Sequence, residues 1–91
     1  MLLPRQRHEL LLAERTRDPV QITAAIEAAL RKDPTVTLAA IDDVLRRAAS
    51  SAFLVRTPDG FVVVVGFTAW REALAKAGIS AEANRAALAM R

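Results

Sequence analysis

The chain contains no cysteine and no tyrosine, and it has a single histidine and a single tryptophan. Without cysteine there is no disulfide, no thiol nucleophile and no thiolate metal site. The histidine, His8, is followed four residues later by Leu12, where the helix of a zinc protease needs a second histidine. We therefore expect neither a metal nor a cofactor, and the lack of cysteine fits a cytoplasmic location.

Long apolar runs are also missing. The first three residues are followed by Pro4 and by several charged residues, so this end does not resemble the apolar part of a signal peptide. No apolar run approaches the roughly 18 residues that a membrane-spanning helix requires. We expect a protein that makes no contact with membranes.

Groups of residues that carry catalysis are equally scarce. Asp42 and Asp43 are adjacent, so on a helix they point about 100° apart and cannot act as a catalytic pair. We expect both to lie on a solvated helix face. Gly60 and Gly66 flank a strand without the spacing of a phosphate-binding loop. We therefore predict that the protein is not an enzyme and has no small-molecule substrate.

The length and composition of the chain indicate one small domain, residues 1–91. Hydrophobic residues make up 53% of the chain and charged residues 25%, which is typical of a globular protein. Alanine is abundant, and arginine outnumbers lysine 11 to 2. This bias indicates a GC-rich genome, so we expect a bacterial, phage or plasmid origin.

Helix signals occur on both sides of a central apolar region. Asp18-Pro19 and Asp33-Pro34 each offer an N-cap followed by proline at the first helical position. Thr68 and Ser80 can cap two later helices, and Gly78 suits the left-handed end of the first of these. Together with a shorter first segment, the pattern predicts five helices, at about 5–16, 19–32, 36–49, 68–77 and 81–90.

The central region predicts a β-hairpin with strands Ala52–Thr57 and Phe61–Gly66. Between them, Thr57-Pro58-Asp59-Gly60 has proline and glycine where a β-turn favours them. The predicted fold class is therefore α+β and mainly α, with about five short helices and one hairpin in the order ααα-ββ-αα.

The second strand lacks the alternation of apolar and polar residues that a strand with one wet face shows. Both of its faces need cover, and a lone hairpin has two unpaired edges. Trp70 is expected either in the core or as an interface anchor. We predict a homodimer that also binds another protein, through an interface containing Phe61, Val62, Val63, Val64, Val65 and Trp70.

The leading hypothesis is thus a non-enzymatic interaction or regulatory module, acting as an adaptor or an inhibitor. The alternative is a small DNA-binding regulator, since the net charge is +3 and residues 68–91 resemble a helix-turn-helix. The resemblance departs from the usual pattern at Leu74 and Asn84. Acid–base pairs spaced four residues apart on exposed helix faces also neutralise many basic residues. These pairs are Glu27 with Arg31, Asp42 with Arg46, Asp43 with Arg47 and Glu72 with Lys76. The candidate nucleic-acid contacts are Arg71, Asn84, Arg85 and Arg91.

Overall fold

The computed structural model describes residues 2–48 and 51–90, in which five helices accompany a two-stranded antiparallel sheet. The fold class predicted from the sequence is confirmed. In chain order the elements are α1 (Pro4–Arg15), α2 (Pro19–Lys32), α3 (Leu38–Arg47), β1 (Ala52–Thr57), β2 (Gly60–Val65), α4 (Phe67–Ala77) and α5 (Ala81–Ala89).

The start of α2 follows the expected capping chemistry. The Asp18 carboxylate accepts a hydrogen bond from the Val20 N–H at 3.0 Å, and Pro19 occupies the first helical position. At the other end of the molecule, the Ser80 hydroxyl accepts from the Ala83 N–H at 3.0 Å and opens α5. Both caps were predicted, because each depends only on residues close in sequence.

The predicted start of α3 was wrong. Asp33 ends α2 and uses its carboxylate to accept hydrogen bonds from the N–H and the hydroxyl of Thr35. Its main-chain carbonyl accepts from the Val36 N–H, which closes a turn over Pro34. Thr37 then caps α3, which begins at Leu38 and ends at Arg47. The predicted end at Ala49 lies outside the described residues.

The hairpin has the predicted turn, with β2 beginning one residue earlier than expected. Ala52 pairs with Val65 and Thr57 with Gly60, so Pro58 and Asp59 form the connection. At the far end of β2, the Gly66 N–H donates to the Ser51 carbonyl at 2.7 Å. Gly66 has a φ of 100°, which lets the strand turn directly into α4. Thr68 is consequently inside α4, and its predicted capping role was wrong.

Helices cover both faces of the hairpin, which therefore lies between two apolar clusters. Ala52, Leu54 and Val63 face the first cluster, where they pack against α1, α2, α3 and Leu88 of α5. Val55 faces the second cluster and packs against Trp70 and Leu74 of α4. Apart from Val62, the apolar side chains of the valine strand are thus covered, fully or in part, by helices of the same chain.

The junction between α4 and α5 is the predicted left-handed ending. Gly78 has a φ of 71°, its N–H donates to the Ala75 carbonyl, and the Ile79 N–H donates to the Leu74 carbonyl. This pair of bonds defines a Schellman motif, in which glycine avoids the steric cost that a side chain would bring. The motif fixes the direction in which the chain enters α5.

Candidate functional site

The predicted interface residues occupy very different environments. Val63 and Trp70 are buried, whereas Phe61, Val64 and Val65 are half-buried against the two clusters. Val62 is 42% exposed and is the member of the set most open to solvent. Of the strand residues in this set, Val63 alone is buried, and Phe61, Val64 and Val65 pack partly against the two clusters. Association through this strand would therefore use its edge or Val62.

Trp70 belongs to a small aromatic cluster between β1 and α4. Its ring stacks on Phe53 with centroids 4.8 Å apart, and Phe67 lies 5.4 Å away. Trp70 was expected either in the core or as an interface anchor, and in the structure it lies in the core. Buried aromatic pairs in such geometry contribute about 0.5–1.5 kcal/mol beyond their burial.

Arg46 joins α3 to this aromatic cluster. Its guanidinium carbon lies 5.4 Å from the ring centres of both Phe53 and Trp70, and its Nε donates to Asp42 Oδ2 at 2.8 Å. Asp42 is 2% exposed, so the expectation of a solvated face was wrong for this residue. Its neighbour Asp43 pairs with Arg85 at 3.4 Å rather than with the arginine four residues on.

One edge of the hairpin, that of β1, is closed by a side chain. Asn84 of α5 accepts a hydrogen bond from the Arg56 N–H at 2.8 Å and donates to the Leu54 carbonyl at 3.0 Å. The amide thus bonds β1 as a neighbouring strand would, and Asn84 is 1% exposed. Sequence reasoning missed this role, because the partners lie 28 and 30 residues away.

The other edge, that of β2, remains open. Gly66 bonds to Ser51, and antiparallel ladders alternate, so the N–H and C=O groups of Phe61, Val63 and Val65 point away from β1. Within residues 2–48 and 51–90, no hydrogen bond reaches these outward groups. An unpaired strand edge is a template for pairing with another strand.

A groove of about 420 Å³ runs beside this open edge, and we call it the edge groove. The exposed side of α2 forms one wall of this groove and β2 forms the other. A strand that entered the groove would therefore contact both elements. Val20, at 75% exposed, and Val62, at 42%, leave apolar surface in water there. The residues that define it are Pro19, Val20, Thr23, Ala24, Glu27, Phe61, Val62 and Val63.

A second groove, of about 790 Å³, separates α4 from α5, and we call it the helix groove. The hairpin forms its floor, and small side chains of the two helices form its walls. Arg56 and Lys76 are the charged residues that line it. The apolar residues that define it are Val55, Pro58, Val62, Ala73, Ala77, Ile79, Ala83 and Ala87.

The candidate nucleic-acid contacts occupy different environments, with Asn84 buried and Arg71 and Arg85 exposed. Asn84 is buried and its amide is bonded to β1, so it cannot contact a base in this conformation. Arg85 pairs with Asp43, while the Arg71 guanidinium lies 5.8 Å from the Phe67 ring centre. Arg91 lies outside the described residues. The helix groove also keeps α4 and α5 from packing on each other as helix-turn-helix pairs do.

Two further properties bear on function. Across residues 2–48 and 51–90, no three histidine, aspartate or glutamate side chains come together as a metal site would require. In the same part of the chain, every helix is too short or too polar to cross a bilayer.

No protein-family model, curated protein or solved structure matches this chain.

Proposed function

We propose that this protein is a non-enzymatic interaction module that pairs with a second copy of itself through the open edge of β2. The observation that carries the proposal is the contrast between the two edges of one hairpin. Asn84 bonds two of the outward groups of β1, the Arg56 N–H and the Leu54 carbonyl, while the outward groups of β2 have no hydrogen-bond partner among the described residues. An edge left open beside exposed valines favours strand addition.

A second copy is a suitable occupant because antiparallel pairing of two identical strands is self-complementary. A two-fold axis at Val63 sets this residue opposite its counterpart and sets Phe61 opposite Val65 of the other copy. The outward groups of these residues would then form about six main-chain hydrogen bonds across the axis. The two hairpins would join into a single four-stranded sheet.

The same arrangement covers apolar surface that is now wet. An axis perpendicular to the sheet places both copies of α2 on one face, near each other. Val20 would then be buried against the partner, and Val62 would be partly covered. Burying a valine side chain contributes up to about 1.5–3 kcal/mol. Such a dimer suits an adaptor or inhibitor, whose activity is binding rather than chemistry.

Molecular mass in solution tests the proposal. Sedimentation equilibrium between about 1 and 100 μM should show a dimer for the native chain. Val20→Glu should give a folded monomer, because it places charge in the edge groove at a helix start that tolerates acidic residues. Met90→Glu is the matched control: it also adds charge at an exposed apolar position, next to α5, and should stay dimeric.

Two results would overturn self-association through β2. One is a monomer for the native chain over the whole concentration range. The other is an equal loss of dimer in both variants, since that would show an effect of charge rather than of the edge groove. DNA binding remains the alternative expected from the sequence, and the burial of Asn84 gives it no added support.

A further inference from the structure

The helix groove has properties that the edge groove lacks. It lies on the face of the hairpin covered by α4, and its floor is made of side chains rather than strand-edge groups. Val62 borders both grooves, but all the other residues that define them differ. The helix groove is therefore a second surface, and binding there does not require self-association.

The lining of the helix groove selects for the backbone conformation of an occupant. Alanines of α4 and α5 form its helical walls, and in β1 beneath them Val55 pairs with Val62 of β2, while the Leu54 carbonyl and the Arg56 N–H are bonded to Asn84. A strand placed there would bury N–H and C=O groups without partners, which is costly. A helix satisfies these groups internally and needs only an apolar face.

The size of the wall residues also favours a helix. Ala73 and Ala77 of α4 and Ala83 and Ala87 of α5 line the groove, so the two helices present mainly small side chains to it, apart from Lys76 and from Ile79 in the connection between them. Helix pairs with small residues allow close approach, and the larger side chains of a third helix can enter between them. The Schellman motif at Gly78 and the bonds of Asn84 hold both walls in place before anything binds.

The charged residues at the groove indicate the sign of the charge that a partner should carry. Arg56 and Lys76 line it, and no acidic side chain does. Glu72 lies one turn before Lys76, but no ion pair joins them in the part of the chain described here. Two cations beside an apolar trough complement acidic residues that flank the apolar stripe of a helix.

We propose that the helix groove binds an acidic amphipathic helix of a partner protein. Leucine-sized side chains of that helix would enter between the alanine walls. Its carboxylates would approach Arg56 and Lys76. This mode corresponds to the recognition of a helix by a groove, in which anchors spaced three and four residues apart provide most of the contact.

The test uses the full chain and two labelled peptides of about 15 residues, long enough to form helix. Both carry leucines on one face. One has glutamates beside that face, and the other has lysines at the same positions. Fluorescence anisotropy should show binding of the glutamate peptide, and at least about tenfold weaker binding of the lysine peptide.

A filling variant identifies the site. Ala83→Trp should occupy the groove and weaken binding of the glutamate peptide by at least about tenfold. Ala86→Trp is the matched control, because Ala86 is exposed on the same helix but does not line the groove. Equal losses in the two variants would overturn the assignment of the site.

A charge variant tests the acidic character of the partner. The double change Arg56→Glu with Lys76→Glu should reverse the preference, so that the lysine peptide binds better. Replacing Arg31 and Lys32 by glutamate is the control: it alters net charge equally at the exposed end of α2 and should leave the preference unchanged. Peptides that bind equally well to the native chain would overturn the proposal.

The outcome is separable from self-association. Peptide binding should persist in Val20→Glu, and Ala83→Trp should leave the molecular mass unchanged. If Ala83→Trp instead abolished the dimer, the helix groove would be occupied by a second copy of this chain, and the acidic partner would be wrong.

Discussion

The two edges of the hairpin meet the same physical demand in opposite ways. Two of the main-chain groups of β1 that point outward, the Arg56 N–H and the Leu54 carbonyl, are bonded by Asn84, an amide side chain from a helix much later in the chain. The corresponding groups of β2 are beside α2, which offers them no hydrogen bond among the described residues. Helices readily cover the faces of a small sheet, but an edge needs donors and acceptors at strand spacing.

The largest expected difference between the edges is in amide hydrogen exchange of the Val20→Glu variant. The Arg56 N–H is bonded to Asn84 and should be protected by about a thousandfold or more, close to the limit set by global unfolding. The Phe61 and Val65 N–H groups should exchange far faster. In the native chain, raising the concentration should slow exchange at Phe61 and Val65 but not at Arg56.

Removing the closing side chain should open the β1 edge. Asn84→Leu leaves the Arg56 N–H and the Leu54 carbonyl buried without partners, at about 1–3 kcal/mol each. We expect the free energy of unfolding to fall by about 2–4 kcal/mol in urea titrations. The neighbouring change Arg85→Ala should cost less than about 1 kcal/mol, because its ion pair with Asp43 is on the surface. Similar losses in both variants would contradict the assigned role.

Arg46 stabilises the packing around β1 by joining α3 to the aromatic cluster. Arg46→Ala leaves the buried Asp42 carboxylate without this partner and removes the cation from the Phe53 and Trp70 rings. The guanidinium is partly exposed, so we expect a loss of about 1–3 kcal/mol in the free energy of unfolding. Arg47→Ala, on the exposed side of α3, is the control and should change stability little. If Arg46→Ala left the free energy of unfolding unchanged, that result would show that Asp42 is solvated in solution.

The smallest expected effect comes from the turn that brings Asn84 to the edge. Gly78→Ala puts a side chain in the left-handed region at a φ of 71°, although no neighbouring atom blocks the added carbon. We expect the free energy of unfolding to fall by about 1–2 kcal/mol, from backbone strain alone. Gly78→Asn should recover part of it, since asparagine tolerates this conformation. A loss above that range would indicate that α5 had also moved away from β1.

Features decided by near neighbours in sequence could be predicted, and those decided by distant contacts could not. The caps at Asp18 and Ser80, the turn at Pro58-Asp59 and the Gly78 ending each need only a few consecutive residues. The prediction of where α3 begins was wrong because the Asp33 carboxylate accepts hydrogen bonds from Thr35 instead of capping a helix.

The site itself was harder to foresee from the residues. Asn84 was predicted as a contact for DNA, since an asparagine on a helix gives no sign that a strand lies beside it. The alanines of the helix groove read as ordinary helix formers, because an unfilled space leaves no pattern in a sequence. Asp42 and Arg46 matched a surface pair, and only the packing of α3 against the hairpin buried the carboxylate.

The distance between Asn84 and its partners has a consequence for synthesis of the chain. The ribosome completes β1 well before it adds Asn84, which follows Arg56 by 28 residues. At about 5–20 residues per second, both hairpin edges stay open for a few seconds on each nascent chain. Neighbouring ribosomes on one message would then present strands able to pair wrongly. We expect ribosome-bound chains arrested before α5 emerges to be cut faster by protease within β1 than chains arrested after it.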